Sequence, residues 1–127
     1  MQYLTAGQIL LLHAMVVDET GGLHGVRDLH AILSLVALPR QRVFGRELYP
    51  TIWRKAAVYT RGIIAGHPFI DGNKRTGVVA IAVYLQYNGY TVTVRSGETE
   101  KFALAVAKKK LSLPQIARWW KQHCQRV

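Results

Sequence analysis

Between Leu48 and Gly97 the chain carries a single carboxylate, Asp71, inside the run His67-Pro68-Phe69-Ile70-Asp71-Gly72-Asn73-Lys74-Arg75-Thr76-Gly77. The apolar pattern that resumes after Gly72 puts Lys74 and Arg75 in the first turn of a helix, where cations oppose the macrodipole at a cost of about 0.3–1 kcal/mol each. A helix start already offers unpaired N–H groups to an anion. Two cations added there make sense when the occupant is a phosphate chain. Asp71 suits Mg²⁺, which takes one or two carboxylates together with phosphate oxygens. Capping the helix is the plainer use of an Asp in that place, and the two uses are compatible. Histidine trades protons near neutral pH, so His67 is the candidate base for a hydroxyl proton. Gly72 to Thr76 superficially resembles a P-loop, but the first glycine of that motif is absent and no buried strand precedes it.

Several helices must hold these residues in place. Thr5 and Gln8 form a capping-box pair ahead of Ile9, Leu12 and Val16, predicting a helix that stops before Gly21-Gly22. Asp28 is a natural N-cap for a second helix bearing Leu29, Ile32, Leu33 and Val36, ended near Pro39. Residues 39–48 read as a basic loop. Pro50 suits the first turn of a third helix, in which Ile52, Ala56, Tyr59 and Ile63 recur until Gly66. A fourth helix begins just after Asp71-Gly72, carries Val79, Val83 and Tyr87 on one face and ends at Asn88-Gly89. Thr91 to Val94 is the one strand-like stretch. Ser96 is placed to cap a fifth helix, with Glu98 and Glu100 in its first turn and Lys108 to Lys110 in its last. Ser112, Pro114 and Gln115 open a sixth, bearing Ile116, Trp119, Trp120 and His123. The Trp pair reads as core rather than as a base-stacking platform. The expectation is a mainly α chain with the motif between its third and fourth helices.

The 127 residues suffice for one domain, 1–127, without repeats or linkers, and a 50% hydrophobic content can fill a core. Seventeen Lys+Arg against seven Asp+Glu give +10, which favours acidic partners without choosing among nucleic acid, nucleotide phosphates and acidic protein. One cysteine, Cys124, excludes an internal disulfide and a Cys-based zinc site. His13, His24, His30 and His123 show no metal-ligand spacing. No signal peptide or membrane span is legible, so a soluble cytoplasmic protein is expected, with no membrane partner.

The run from His67 to Arg75 resembles the signature of the Fic/Doc superfamily, HxFx[DE][GA]N[GK]R, at every defined position. The likeness extends through Gly21-Gly22-Leu23-His24-Gly25-Val26-Arg27-Asp28, Glu47-Leu48-Tyr49-Pro50 and Tyr87-Asn88-Gly89-Tyr90, covering roughly residues 3 to 120. Lys74 and the length of the chain point to the death-on-curing (Doc) branch. The resemblance implies a compact helical bundle of about six helices with a short β flap near the active site. It implies His67 as catalytic base, Asp71 as the Mg²⁺ ligand, Gly72, Asn73, Lys74 and Arg75 as the nucleotide-phosphate cradle, and Phe69 as a buried anchor. It also places Arg40, Arg42 and Arg46 in the loop that docks the target.

Relatives of the Doc branch imply a toxin of a type II toxin–antitoxin pair that transfers the γ-phosphate of ATP to a threonine or serine hydroxyl of elongation factor Tu, arresting translation. Adenylylating relatives carry Gly where Lys74 stands and a second Arg where Val78 stands. A cognate antitoxin, folding a C-terminal helix across the groove, is implied as partner, and DNA binding would belong to that antitoxin. Two other readings stay open. Pro68 and Gly72 are shared with Fic-like adenylyltransferases, which move AMP or another nucleotide. A basic RNA- or ribosome-binding toxin without transferase activity is the reading from a different class.

Overall fold

The computed structural model describes residues 1–127 and is mainly α, with six helices and two short antiparallel strand pairs. Its pivot is α3 (Ile52–Ile64), which is buried nearly all round, from Lys55 through Thr60 and again at Ile63 and Ile64. A helix buried on most of its sides, with only Arg54 and Arg61 turned to solvent, sits in the middle of the bundle. Around it lie α1 (Ala6–Thr20), α2 (Leu29–Ala37), α4 (Asn73–Tyr87), α5 (Glu98–Ala107) and α6 (Leu113–Gln122). The capping boxes at Thr5/Gln8 and Ser112/Gln115 and the Asp28 cap all form as the sequence predicts. No helix is long and apolar enough to cross a membrane.

α4 runs antiparallel to α3. Tyr84 Oη donates to the Ile52 carbonyl at 3.3 Å at one end, and Gly77 faces Ile64 at the other. A Cβ on Gly77 would lie 2.4 Å from Ile64 Cγ1, so only glycine lets the two helices approach where the motif loop joins them. α6 is fastened across α3 by Trp120, whose Nε1 donates to Thr60 Oγ1 at 2.9 Å. Trp119 stacks on Phe102 at 3.8 Å and on His123 at 4.0 Å. Both tryptophans serve packing.

The basic loop is more ordered than the sequence predicts. It forms a 3-10 turn (Leu38–Arg40) and a hairpin of β1 (Arg42–Val43) and β2 (Arg46–Glu47), closed by Phe44-Gly45 with both residues left-handed. Buried Lys55 ties the hairpin to α3, donating to Glu47 Oε1 at 2.9 Å and to the Tyr49 carbonyl. The strand-like stretch is β3 (Tyr90–Val92), and it pairs with β4 (Cys124–Arg126), a strand too short to show alternation.

Other boundaries and faces differ from expectation for local reasons. Pro50 precedes α3, because the Thr51 hydroxyl accepts from Arg54 N and takes the N-cap. Gly97, not Ser96, stands at the start of α5, where Glu98 turns back onto Arg95 N. Lys108 to Lys110 fall just beyond α5, with Lys109 left-handed. On α4 the buried face is Thr76, Gly77, Ala80, Ile81, Tyr84 and Leu85, leaving Val79 and Tyr87 exposed. The helix is apolar on several sides, and the face that meets α3 at Gly77 and Tyr84 is the one buried. On α2, likewise, Ile32 and Leu35 are buried while Leu29 and Leu33 face out.

Candidate active site

The motif occupies the loop from α3 to α4, and its conformation is imposed from three sides. Residues 25–28 run antiparallel to it: Arg27 N and Asp28 N donate to the Pro68 carbonyl at 2.8 and 3.0 Å, and Ile70 N donates to the Gly25 carbonyl at 3.1 Å. Asn73 closes the loop on itself. Its Oδ1 accepts from Phe69 N and its Nδ2 donates to the Phe69 carbonyl, both at 3.0 Å. From beneath, buried His13 of α1 stacks on Phe69 at 3.7 Å and 5° and lies 2.8 Å from the Asp71 carbonyl. A carbonyl only accepts, so His13 Nε2 carries the proton.

Within this frame His67 is exposed and its backbone is left-handed, φ 48°. Such a conformation in a residue other than glycine costs about 1–3 kcal/mol and persists only where the surroundings over-determine it. The imidazole makes no hydrogen bond within the chain, so its nitrogens are free for a ligand. Phe69 is 1% exposed and is the loop's anchor.

Asp71 turns both carboxylate oxygens onto backbone donors, Oδ2 accepting from Leu23 N at 3.0 Å and Oδ1 from Gly72 N at 2.9 Å. These N–H groups, Leu23 foremost, hold its carboxyl below the usual range, with Arg75 and His13 adding to the effect. Asp71 is therefore ionised at neutral pH. Each oxygen keeps a second lone pair, which suits a hard cation completed by phosphate oxygens; no cluster of three His, Cys, Asp or Glu side chains offers a closed metal cage. The 21–23 turn comes close only because residue 22 is glycine, since a Cβ there would lie 2.6 Å from Asp71 Oδ2.

The start of α4 shares a left-handed glycine cap with α5 but lacks the first-turn acids, Glu98 and Glu100, that α5 carries. Gly72 caps it in the left-handed conformation with no side-chain hydrogen bond, and no acid lies in its first turn. The N–H groups of Asn73, Lys74 and Arg75 find no acceptor in the chain. Lys74 is exposed and forms no ion pair. Arg75 Nη1 donates to the Thr20 carbonyl and hydroxyl, which ties α4 to the end of α1 and leaves the other arm of the guanidinium uncommitted. This helix start opens on a cleft of about 470 Å³, lined by Asp71 to Arg75, by Val16, Glu19 and Thr20 of α1, by Val78 and Val79, and by Thr99, Glu100 and Ala103 of α5.

The structure thus brings Asp71, Gly72, Asn73, Lys74 and Arg75 together along one cleft, and His67 is not among the residues that line it. Asn73 spends its amide on Phe69 and meets the cleft with its backbone N–H. Arg40 lies over the Tyr3 ring at 4.2 Å, while Arg42 and Arg46 project from the hairpin; none of the three lines the cleft. Sequence reasoning missed the supports. His13, four residues after Ile9 on α1, was legible as a buried-face residue, but its contact with Asp71 was not. Arg27 and the Leu23 N–H have no signal in residue type, because their work is fixed by where a loop passes.

The sequence profile of the Fic/DOC family matches residues 3–85, more than half of the chain. "Toxin Doc" of Mycolicibacterium smegmatis is 37% identical over 86 residues, which are 68% of this chain and 59% of that protein. The chain therefore aligns with about three fifths of that relative's length. "Protein kinase doc" of Escherichia phage P1 is 26% identical over 117 residues, 92% of this chain and 91% of that protein.

Proposed function

The chain belongs to the Fic/Doc family, and from that membership we propose that it is a Doc-type toxin whose cleft binds ATP·Mg²⁺ and whose product is a phosphorylated hydroxyl on a translation factor, elongation factor Tu. The observation that carries this reading is the start of α4, where three acceptor-free N–H groups, the free Lys74 and an ionised Asp71 converge on one cleft. A polyphosphate with its Mg²⁺ would satisfy every one of these groups, the anion pairing the N–H groups and Lys74 and the cation pairing Asp71.

Phosphoryl transfer needs alignment and charge stabilisation more than covalent help. Lys74 supplies a point charge and the free arm of Arg75 a directed donor. Asp71 would hold Mg²⁺, which neutralises charge between phosphate oxygens. His67, with no partner in the chain, is free to take the hydroxyl proton of the target. The cleft runs from the start of α4 toward α5 and leaves His67 outside. The apolar Val78 in its wall offers no cation for a γ-phosphate held the other way round. The absence of that cation favours γ-phosphoryl transfer over transfer of AMP, and the name of the phage P1 relative points the same way. An acidic antitoxin segment is the regulatory partner proposed for the +10 surface, and Arg42 and Arg46 are proposed to dock the target.

Purified protein incubated with Mg²⁺, elongation factor Tu and ATP labelled at either the γ or the α position tests the proposal. Label from the γ position alone, lost in His67→Ala, is the expected result. Label from the α position would assign nucleotidyl transfer instead, and no label from either position would overturn transferase function toward this target.

A further inference from the structure

Arg27 lies outside the phosphate cleft, yet it makes the side-chain contacts that reach the backbone of His67. Its Nε donates to the His67 carbonyl at 2.6 Å and its Nη2 to the Gly66 carbonyl at 2.8 Å. Those two carbonyls belong to the two peptide planes that flank the His67 Cα. The angle between these planes is the φ/ψ pair of His67, and that pair is left-handed. A guanidinium is planar and presents its N–H groups in a fixed fork. One rigid fork on both carbonyls therefore fixes the backbone of His67, and with it the direction in which the imidazole leaves the chain.

Arg27 is itself held. Its N–H donates to the Pro68 carbonyl, and the neighbouring Val26 bridges to Phe69. An arginine near the end of a helix often does no more than satisfy its last carbonyls. Here the bonded carbonyls lie past the end of α3, which closes at Ala65, and one of them belongs to the candidate base. The His67 imidazole has no hydrogen-bond partner to orient it, so the backbone sets the direction in which its Cα–Cβ bond points.

We propose that Arg27 is the positioning residue for His67, acting through the Gly66 and His67 carbonyls. The proposal rests on the reading of His67 as the base. It requires that loss of the fork slow transfer while nucleotide binding stays intact, because no atom of Arg27 lines the cleft. Lysine keeps the charge but has no fork, so it can hold one carbonyl and leaves the other plane free to turn.

The test uses the full chain as wild type, Arg27→Lys and Arg27→Ala, with imidazole resonances of all five histidines followed by NMR and transfer measured with ATP·Mg²⁺ and elongation factor Tu. In both variants the His67 resonance is expected to move and broaden, while those of His13, His24, His30 and His123 stay in place. The expected fall in kcat is about 10-fold to 100-fold, with KM and Kd for ATP within about two-fold of wild type. Arg27→Lys guards against an unfolded Arg27→Ala. An unmoved His67 resonance in Arg27→Lys, shifts shared by all five histidines, or a loss confined to KM would each overturn the proposal. If wild type transfers no label, the functional reading falls, and the histidine resonances still decide whether Arg27 sets the position of His67.

Discussion

At the scale of single residues, strain and chemistry meet at His67. Its left-handed backbone suits glycine, which pays no Cβ penalty there. His67→Gly is therefore expected to stabilise the fold by about 0.5–1 kcal/mol while abolishing transfer. Urea midpoints and a labelling assay on the same preparation check both halves, and a destabilised variant would mean that the imidazole supports the fold. Buried Thr76 is a second strained point, since its Oγ1 has no hydrogen-bond partner. Thr76→Val removes an unpaired hydroxyl and should gain roughly 1 kcal/mol, read as a rise in Tm. Asp71 has a pH signature. Its folded pKa lies below the ordinary 3.8, so its ionised form favours the native state above that pH, and this contribution is lost as pH falls through the folded value. Glu47 and Glu98 behave likewise, so the acid limb is shared. Asp71→Asn should flatten the stability profile below about pH 4 without removing it. The carboxylate, the cations and the histidine were all legible in the sequence, because catalysis demands particular residue types. Their supports are backbone N–H groups and a loop arginine, which no residue pattern announces.

At the scale of elements, the distance between α3 and α4 governs the motif loop that joins them. Gly77 faces Ile64 two residues after Arg75, so a methyl group there must push the helices apart beside the cleft. Gly77→Ala should lose about 1–3 kcal/mol despite the better helix propensity of alanine, and should weaken nucleotide binding along with it. Calorimetric Tm and ATP titration of one sample check the pair of effects. A stabilised variant with unchanged affinity would show that α3 and α4 have slack. Helix starts were readable at Thr5, Asp28 and Ser112, where a side chain makes the cap and the capping geometry is local, but the Thr51 cap of α3 was passed over for Pro50. The faces of α2 and α4 were not, since both helices are apolar on more sides than one and the choice falls to the neighbours they meet. The three-residue β4 lay below the length at which alternation means anything.

For the whole molecule, the +10 charge makes binding of an anion weak evidence of a site. A polyphosphate gathers on any basic surface, and such gathering falls away as salt screens it. A built site differs because geometry, more than net charge, holds the ligand. Lys74 and Arg75 flank three free N–H groups at the cleft, whereas Lys108 to Lys110 crowd the exposed turn after α5 and line no part of that cleft. Removing charge from the two places therefore separates the cases. With ATP·Mg²⁺ at about 100 times its Kd, the native state should gain roughly 2.7 kcal/mol, visible as a higher Tm. Lys74→Ala should remove most of that gain by taking away one charge. Replacing Lys108, Lys109 and Lys110 together by serine takes away three charges and should leave most of it. Inverted results, with the serine variant losing the shift and Lys74→Ala keeping it, would assign the effect to the basic surface. The chain would then be a general polyanion binder of the kind that takes RNA, and the cleft at the start of α4 would not be its nucleotide site.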